Sequence, residues 1–273
     1  DEAELRSQIH DLLIRLPNLR HLTVVGIALD APLMRRISTL PLEHLALRIF
    51  GLDNPITYRT FIPTTEPRIK LRSLVMYDCS SENSENEVSV PANWTSQLMG
   101  PAMQDLALDW SFLNPLDLPV LPDLEFLGVP DTFRARQTSA SLLSSLLSGA
   151  PNLKEAVLEL KAAPEQPYST LPELSHLQVF AGHSSWLQYL VPGRPIMTAK
   201  VICDPLVRVE EVSRILVKSS VPVRNLSLTY TSVWPERIWS PDDLEPIVRY
   251  LPELETLRIE TPRGKVGSRI IEC

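Results

Sequence analysis

Glycine is scarce in this chain, at nine of 273 residues. No Gly-rich phosphate loop, paired Cys-x-x-Cys or His-Glu-x-x-His occurs, so the usual frames for a nucleotide, a structural metal or a zinc-activated water are missing. The sequence therefore reads as non-enzymatic, with no catalytic residue, cofactor or metal site. Cysteine is scarcer still. Cys79, Cys203 and Cys273 are far apart and odd in number, which argues against a disulfide framework and points to a reducing compartment, cytoplasmic or nuclear. No apolar run approaches the ~20 residues that cross a bilayer. Lysine and arginine number 26 against 33 carboxylates, a net charge of -7, and they form no basic stripe. Nucleic acid is thus not the expected ligand.

What the chain has in abundance is one short pattern. LPELETLRI, from Leu251 to Ile259, recurs as LPNLRHLTV (Leu16 to Val24), LPLEHLALR, RIKLRSLVM, PAMQDLALD, LPDLEFLGV, APNLKEAVL, LPELSHLQV, RPIMTAKVI and VPVRNLSLT. The first apolar positions are Leu19, Leu42, Leu71, Met103, Leu124, Leu153, Leu174, Ile196, Val223 and Leu254, in steps of 21 to 32 residues. A period in that range predicts a solenoid. Within each copy, pairs such as Leu22 and Val24 or Leu45 and Leu47 alternate with period two, which predicts a short strand. Strands met at the same point of successive copies stack in parallel, so about ten should form one sheet in a single domain over residues 1–273.

Several strands follow a helical pattern. Glu2 to Arg15 carries Leu5, Ile9, Leu12, Leu13 and Leu16 on one stripe before Pro17. Ser139 to Ser148 ends at Gly149, and Val209 to Val217 ends before Val221-Pro222. Ser240-Pro241-Asp242-Asp243 starts another helix, which Pro246 should shorten or bend. The segments Gly51 to Arg68, Asn114 to Pro122 and Ala162 to Thr170 read as turns or extended connections. Ser80 to Asn86, polar throughout, reads as a mobile loop, with Ser84 solvated and not singled out as a kinase site. The triplet Asn93-Trp94-Thr95 matches a glycan acceptor by chance-level spacing, and Asn225-Leu226-Ser227 falls inside a strand. The start at Asp1, without methionine, reads as a fragment of a longer chain, and the outer edge of the first copy should stay open while Leu12, Leu13, Leu19 and Leu22 bury against the second.

The L-x-x-L-x-L units resemble the leucine-rich-repeat family over Leu5 to about Ile259. That resemblance implies an α/β solenoid with parallel strands on the concave face and helices and irregular loops on the convex face. Family units continue with Asn or Cys three residues after the last leucine, and here Cys79 after Met76 alone fits. Irregular units with Leu-Pro-x-Leu starts are similar to those behind the F-box of many fungal F-box proteins. This implies a protein-protein interaction module that recognises substrate for an F-box-type ubiquitin ligase, binding the ligase adaptor if an F-box lies upstream. Asp1 to Leu16 does not read as an F-box. A scaffold or regulator without a ubiquitin connection is the alternative, and an extracellular receptor ectodomain a more distant one.

If strands alternate, the outward positions are the third, fifth and seventh of each unit. These give His21, Thr23 and Val25, then His44, Ala46 and Arg48, and later Asp105, Ala107 and Asp109, Phe126, Gly128 and Pro130, and Glu155, Val157 and Glu159. His21 and His44 should lie about 5 Å apart, yet two imidazoles do not complete a metal site. Carboxylates flank a less polar centre, so Asp105, Asp109, Phe126, Glu155 and Glu159 are the candidate partner-binding residues. Ala107 and Gly128 should leave room for a side chain of a basic or mixed basic-apolar protein segment. Trp234 and Trp239 read as core-filling, and as the next candidate surface if the strands are not the site.

Overall fold

The computed structural model describes residues 2–26, 29–49, 71–78, 95, 98–109, 118–130, 140–159, 173–204, 207–230 and 241–260. The expected loop from Ser80 to Asn86, Ser84, Trp234, Trp239, Cys79, Cys273 and Asn93 lie outside these residues. Two compact units divide the chain, Asp1–Ala150 and Pro151–Cys273.

The first unit holds α1 (Glu2–Arg15), β1 (His21–Val25), α2 (Ala31–Thr39), β2 (His44–Ile49), β3 (Ser73–Asp78), β4 (Asp105–Leu108), β5 (Phe126–Val129) and α3 (Ala140–Ser148). Its strands pair in sequence order and in parallel. The register joins like positions of the repeated pattern: Leu22 lies beside Leu45, Leu45 beside Leu74, Leu74 beside Leu106 and Leu106 beside Leu127. From Leu45 onward these leucines are fully buried, each contributing about 1.5–3 kcal/mol of transfer free energy. The backbone repeats too. The Arg20 carbonyl accepts the N–H groups of Glu43 and His44, that of Glu43 accepts Arg72 and Ser73, and that of Arg72 accepts Gln104 and Asp105.

Helix α1 has the expected bounds but does not bury as expected. Leu13 is buried, whereas Leu12 is 54% exposed and Leu5, Ile14 and Leu16 are also exposed. A stripe on α1 can be covered only where another element meets it, and α2 meets it on one side. Arg36 of α2 donates to the carbonyls of Leu13 at 2.7 Å and Ile14 at 3.3 Å, satisfying the last turn of α1. Helix α2 has no counterpart in the sequence-based expectations. Asp30 caps it, accepting the Leu33 N–H at 2.8 Å, Pro32 occupies its first turn, and Leu33, Met34 and Ile37 are its buried face. At the end of α3 the Gly149 N–H donates to the Ser145 carbonyl, which closes the helix where expected.

The second unit holds β6 (Glu155–Leu158), β7 (Val179–His183), a 3-10 turn (Ser184–Trp186) leading into α4 (Leu187–Leu190), β8 (Thr198–Cys203), α5 (Val209–Leu216), β9 (Asn225–Tyr230), α6 (Pro241–Tyr250) and β10 (Thr256–Glu260). These strands are also parallel and consecutive. One assigned position is corrected. Val179 pairs with Glu155 and the Gln178 N–H reaches the Lys154 carbonyl, so Leu177, and not Leu174, is the counterpart of Leu153. Leu174 instead accepts the Leu177 N–H, as Leu251 accepts that of Leu254. The Leu171-Pro172-Glu173-Leu174 string imitates the unit's start one turn early. Pro246 lies inside α6 without ending it.

Gly182 fixes the approach of β7 to β6. Its φ is +150°, and a Cβ there would stand 2.0 Å from the Leu158 carbonyl oxygen and 2.6 Å from its carbon. No side chain fits between these backbones. Cys203 is fully buried at the end of β8, its thiol 3.9 Å from the Val201 carbonyl oxygen. No helix among the described residues is long and apolar enough to cross a membrane.

Candidate functional site

Alternation along β1 to β5 presents three rows on the side of the strands opposite the buried leucines. One row runs His21, His44, Ser73, Asp105 and Phe126; the next runs Thr23, Ala46, Val75, Ala107 and Gly128. Val25, Arg48 and Tyr77 begin a third. Thr23, Val25 and Arg48 are exposed, and Ala46, Val75, Tyr77, Asp105 and Phe126 are half-buried. The central row is thus made of small side chains between larger polar and aromatic ones.

The imidazoles of His21 and His44 stack face to face, with centroids 4.4 Å apart and planes 17° apart. Stacked rings carry their in-plane lone pairs side by side and cannot converge them on one ion. Among the described residues no three His, Cys, Asp or Glu side chains are grouped for a metal.

Two of the candidate residues differ from expectation. Asp109 is fully buried. β4 ends at Leu108, so the rule that places alternate side chains outward stops one residue too soon, and the Asp109 N–H turns in to donate to the Met76 carbonyl at 2.9 Å. Asp109 is therefore not a surface carboxylate. The second difference concerns the space expected at Gly128. A Cβ on Gly128 would meet Cε1 of Phe126 and Cβ of Ala107, both at 3.2 Å. The Phe126 ring itself lies across that space, so Ala107 and Gly128 form the floor beneath the ring and no vacant pocket. Asp105 is the cross-strand neighbour of both Ser73 and Phe126.

In the second unit Glu155 is half-buried at the start of β6, and Glu159, just beyond its end, is exposed. Glu155 lies beside Val179, and Val157 beside Ala181. The corresponding side of β8 to β10 is polar. The amide nitrogen of Asn225 donates to Thr198 Oγ1 at 3.3 Å, and the Thr229 hydroxyl to Glu260 at 3.2 Å. The Asn225 bond, inside a strand, engages the nitrogen a glycan would need.

One cluster escaped the sequence reading. His183 ends β7 with its side chain 4% exposed and its Nε2 3.1 Å from Asp204 Oδ2, off the straight line a hydrogen bond needs. Nδ1 stands 2.9 Å from the Ser185 hydroxyl and accepts the Ser185 N–H at 3.4 Å. Serine, histidine and aspartate in contact are the composition of a nucleophile relay. Here the imidazole acts as the cap of the 3-10 turn, two residues from the serine it holds, and Asp204, just beyond the end of β8, lies beside it. The signal lay in His-Ser-Ser-Trp, a capping side chain before a buried apolar turn, but histidine is an uncommon cap.

Burial holds the Arg194 guanidinium below its ordinary range, and it donates to the Tyr189 carbonyl at 2.8 Å. An open cleft of about 280 Å³ between the ends of α5 and α6 is lined by Leu216, Val221, Tyr250, Leu251 and Glu253 among others. Its lining mixes aliphatic side chains with Ser219, Ser220, Tyr250 and Glu253.

Compared with protein-family models and with curated proteins, the chain matches none.

Proposed function

We propose that this chain is a leucine-rich-repeat solenoid, with strands on its concave and helices on its convex side, that recognises a protein partner through the outward face of β1 to β5. The observation that carries this reading is the central row of small side chains, Ala46, Val75 and Ala107, with Asp105 and the Phe126 ring on one flank and Arg48 and Tyr77 on the other. Such a strip suits a polypeptide better than a small molecule, because it is long, shallow and without enclosing walls. The partner segment is mixed basic and apolar. Its apolar groups rest on Val75 and Phe126, and its cation faces Asp105. No catalysis, cofactor or metal is part of the proposal.

The resemblance supplies the setting: substrate recognition for an F-box-type ubiquitin ligase in the cytoplasm or nucleus. The test is affinity capture from cells with the wild-type chain, followed by kinetics of the captured partner on variants. Asp105→Lys should slow association and lessen its salt dependence, Val75→Arg should weaken binding by at least tenfold, and Phe126→Ala should speed dissociation. Unchanged kinetics on all three would move the site off this face. Loss of the chain from cells should lower ubiquitin attachment to the same partner. Binding without that effect would leave the scaffold reading standing in place of the ligase.

A further inference from the structure

The three outward rows of β1 to β5 hold two charged side chains besides the imidazoles, Arg48 on β2 and Asp105 on β4. Arg20, Arg214 and Arg224 each meet a carboxylate of the chain, Glu43 at 2.6 Å, Glu210 at 2.6 Å and Glu255 at 3.1 Å. Among the described residues no hydrogen bond or ion pair engages the side chain of Arg48 or of Asp105. Nor can these two reach each other. Arg48 lies level with Tyr77 and Asp105 with Ser73, so they stand two strands and four residues apart, about 16 Å on the diagonal. Val75, half-buried, is the midpoint, one strand and two residues from each. The other diagonal through Val75 joins His44 to the end of β4, where Asp109 is buried, and it offers no second charge.

A segment lying on Val75 covers the approaches to both charges, and a charge cut off from water without a counter-charge is unfavourable. The occupant that fits brings an anion to Arg48 and a cation to Asp105, with an apolar side chain between them. Its conformation follows from the spacing. Each half of the diagonal is about 8 Å, which an extended chain covers with alternate side chains ~6.6 Å apart on one face and the reach of the charged side chains. In a helix 8 Å is about one and a half turns, which would aim the middle side chain away from Val75.

We propose that the face of β1 to β5 takes an extended protein segment of the pattern acid, any residue, apolar, any residue, base, or the same pattern in reverse chain order, laid diagonally from Arg48 across Val75 to Asp105. This rests on the reading of that face as the docking surface, and it adds to the basic and apolar segment an acidic residue at a fixed spacing. A uniformly basic segment sets a like charge against Arg48 and is turned away, so the two charges select among partners as well as hold one.

A library of random peptides displayed on phage and selected on the 273-residue chain, with Val75→Arg as the counter-target, tests this. Peptides that bind the chain and not Val75→Arg should carry an acid and a base four residues apart with an apolar residue midway. For these peptides Arg48→Glu and Asp105→Lys should each weaken binding about fivefold. Exchanging the peptide's acid for lysine should restore binding to Arg48→Glu while weakening it to wild type. Peptides that need Val75 but carry only basic and apolar residues, or that bind Arg48→Glu like wild type, would overturn the proposal and leave the docking surface standing. If every selected peptide binds Val75→Arg as well as wild type, or none is selected, the face does not take a peptide and both readings fall.

Discussion

At the scale of single residues, the least replaceable position is Gly182. Its backbone lies in the left-handed half of φ space, and a methyl group would collide with the Leu158 carbonyl, which has no room to move inside a parallel ladder. Gly182→Ala should destabilise the fold by about 3 kcal/mol or more, read as a lower midpoint in urea; a midpoint equal to wild type would mean the two strands can part at no penalty. Nothing in the sequence singles this glycine out, because a glycine inside a strand pattern looks the same whether it serves a bulge or a close approach. Asp109 and Phe126 show the complementary limit. Alternation says which side of a strand a residue occupies while the strand lasts. It does not say where the strand stops, which decides Asp109, or how a large ring lies down on its neighbours, which decides Phe126.

At the scale of elements, most of the architecture was legible because two periods are written plainly. α1 is bounded as read from its stripe, α3 and α5 agree with the reading to within a residue, and β8 and β9 begin where the pattern begins. The shortfalls have local causes. The α2 signal, Asp30 followed by Pro32 and an apolar Leu33, Met34, Ile37 face, is only nine residues long and sits close against the next unit. Copy seven was set three residues early because two Leu-x-x-Leu strings follow each other there. Two element-scale outcomes are expected. Asp30→Ala removes the acceptor for the Leu33 N–H and should cost about 1 kcal/mol. Arg36→Ala frees the carbonyls of Leu13 and Ile14 and should increase hydrogen exchange in the last turn of α1 without unfolding β1. Exchange rates in α1 equal to wild type would show that Arg36 does not hold that turn.

At the scale of the whole molecule, each unit repeats one arrangement, a buried apolar side that the sequence specifies and an outward side that it leaves free. The buried side can be read from sequence because every copy must obey it. The outward side carries no period, since solvent accepts any residue there, so His21, Arg48, Val75 and Asp105 become one surface only once the register is known. The central claim is that this surface, on β1 to β5, is where a protein partner sits. Photocrosslinking in cells addresses it most directly, with a photoreactive amino acid placed at position 75 on the outward face of β3 and, as a control, at position 248 on α6. The account expects a discrete protein adduct from position 75, lost on adding Asp105→Lys, and none of the same mass from position 248. Adducts of the same protein from both positions, or from position 248 alone, would contradict it.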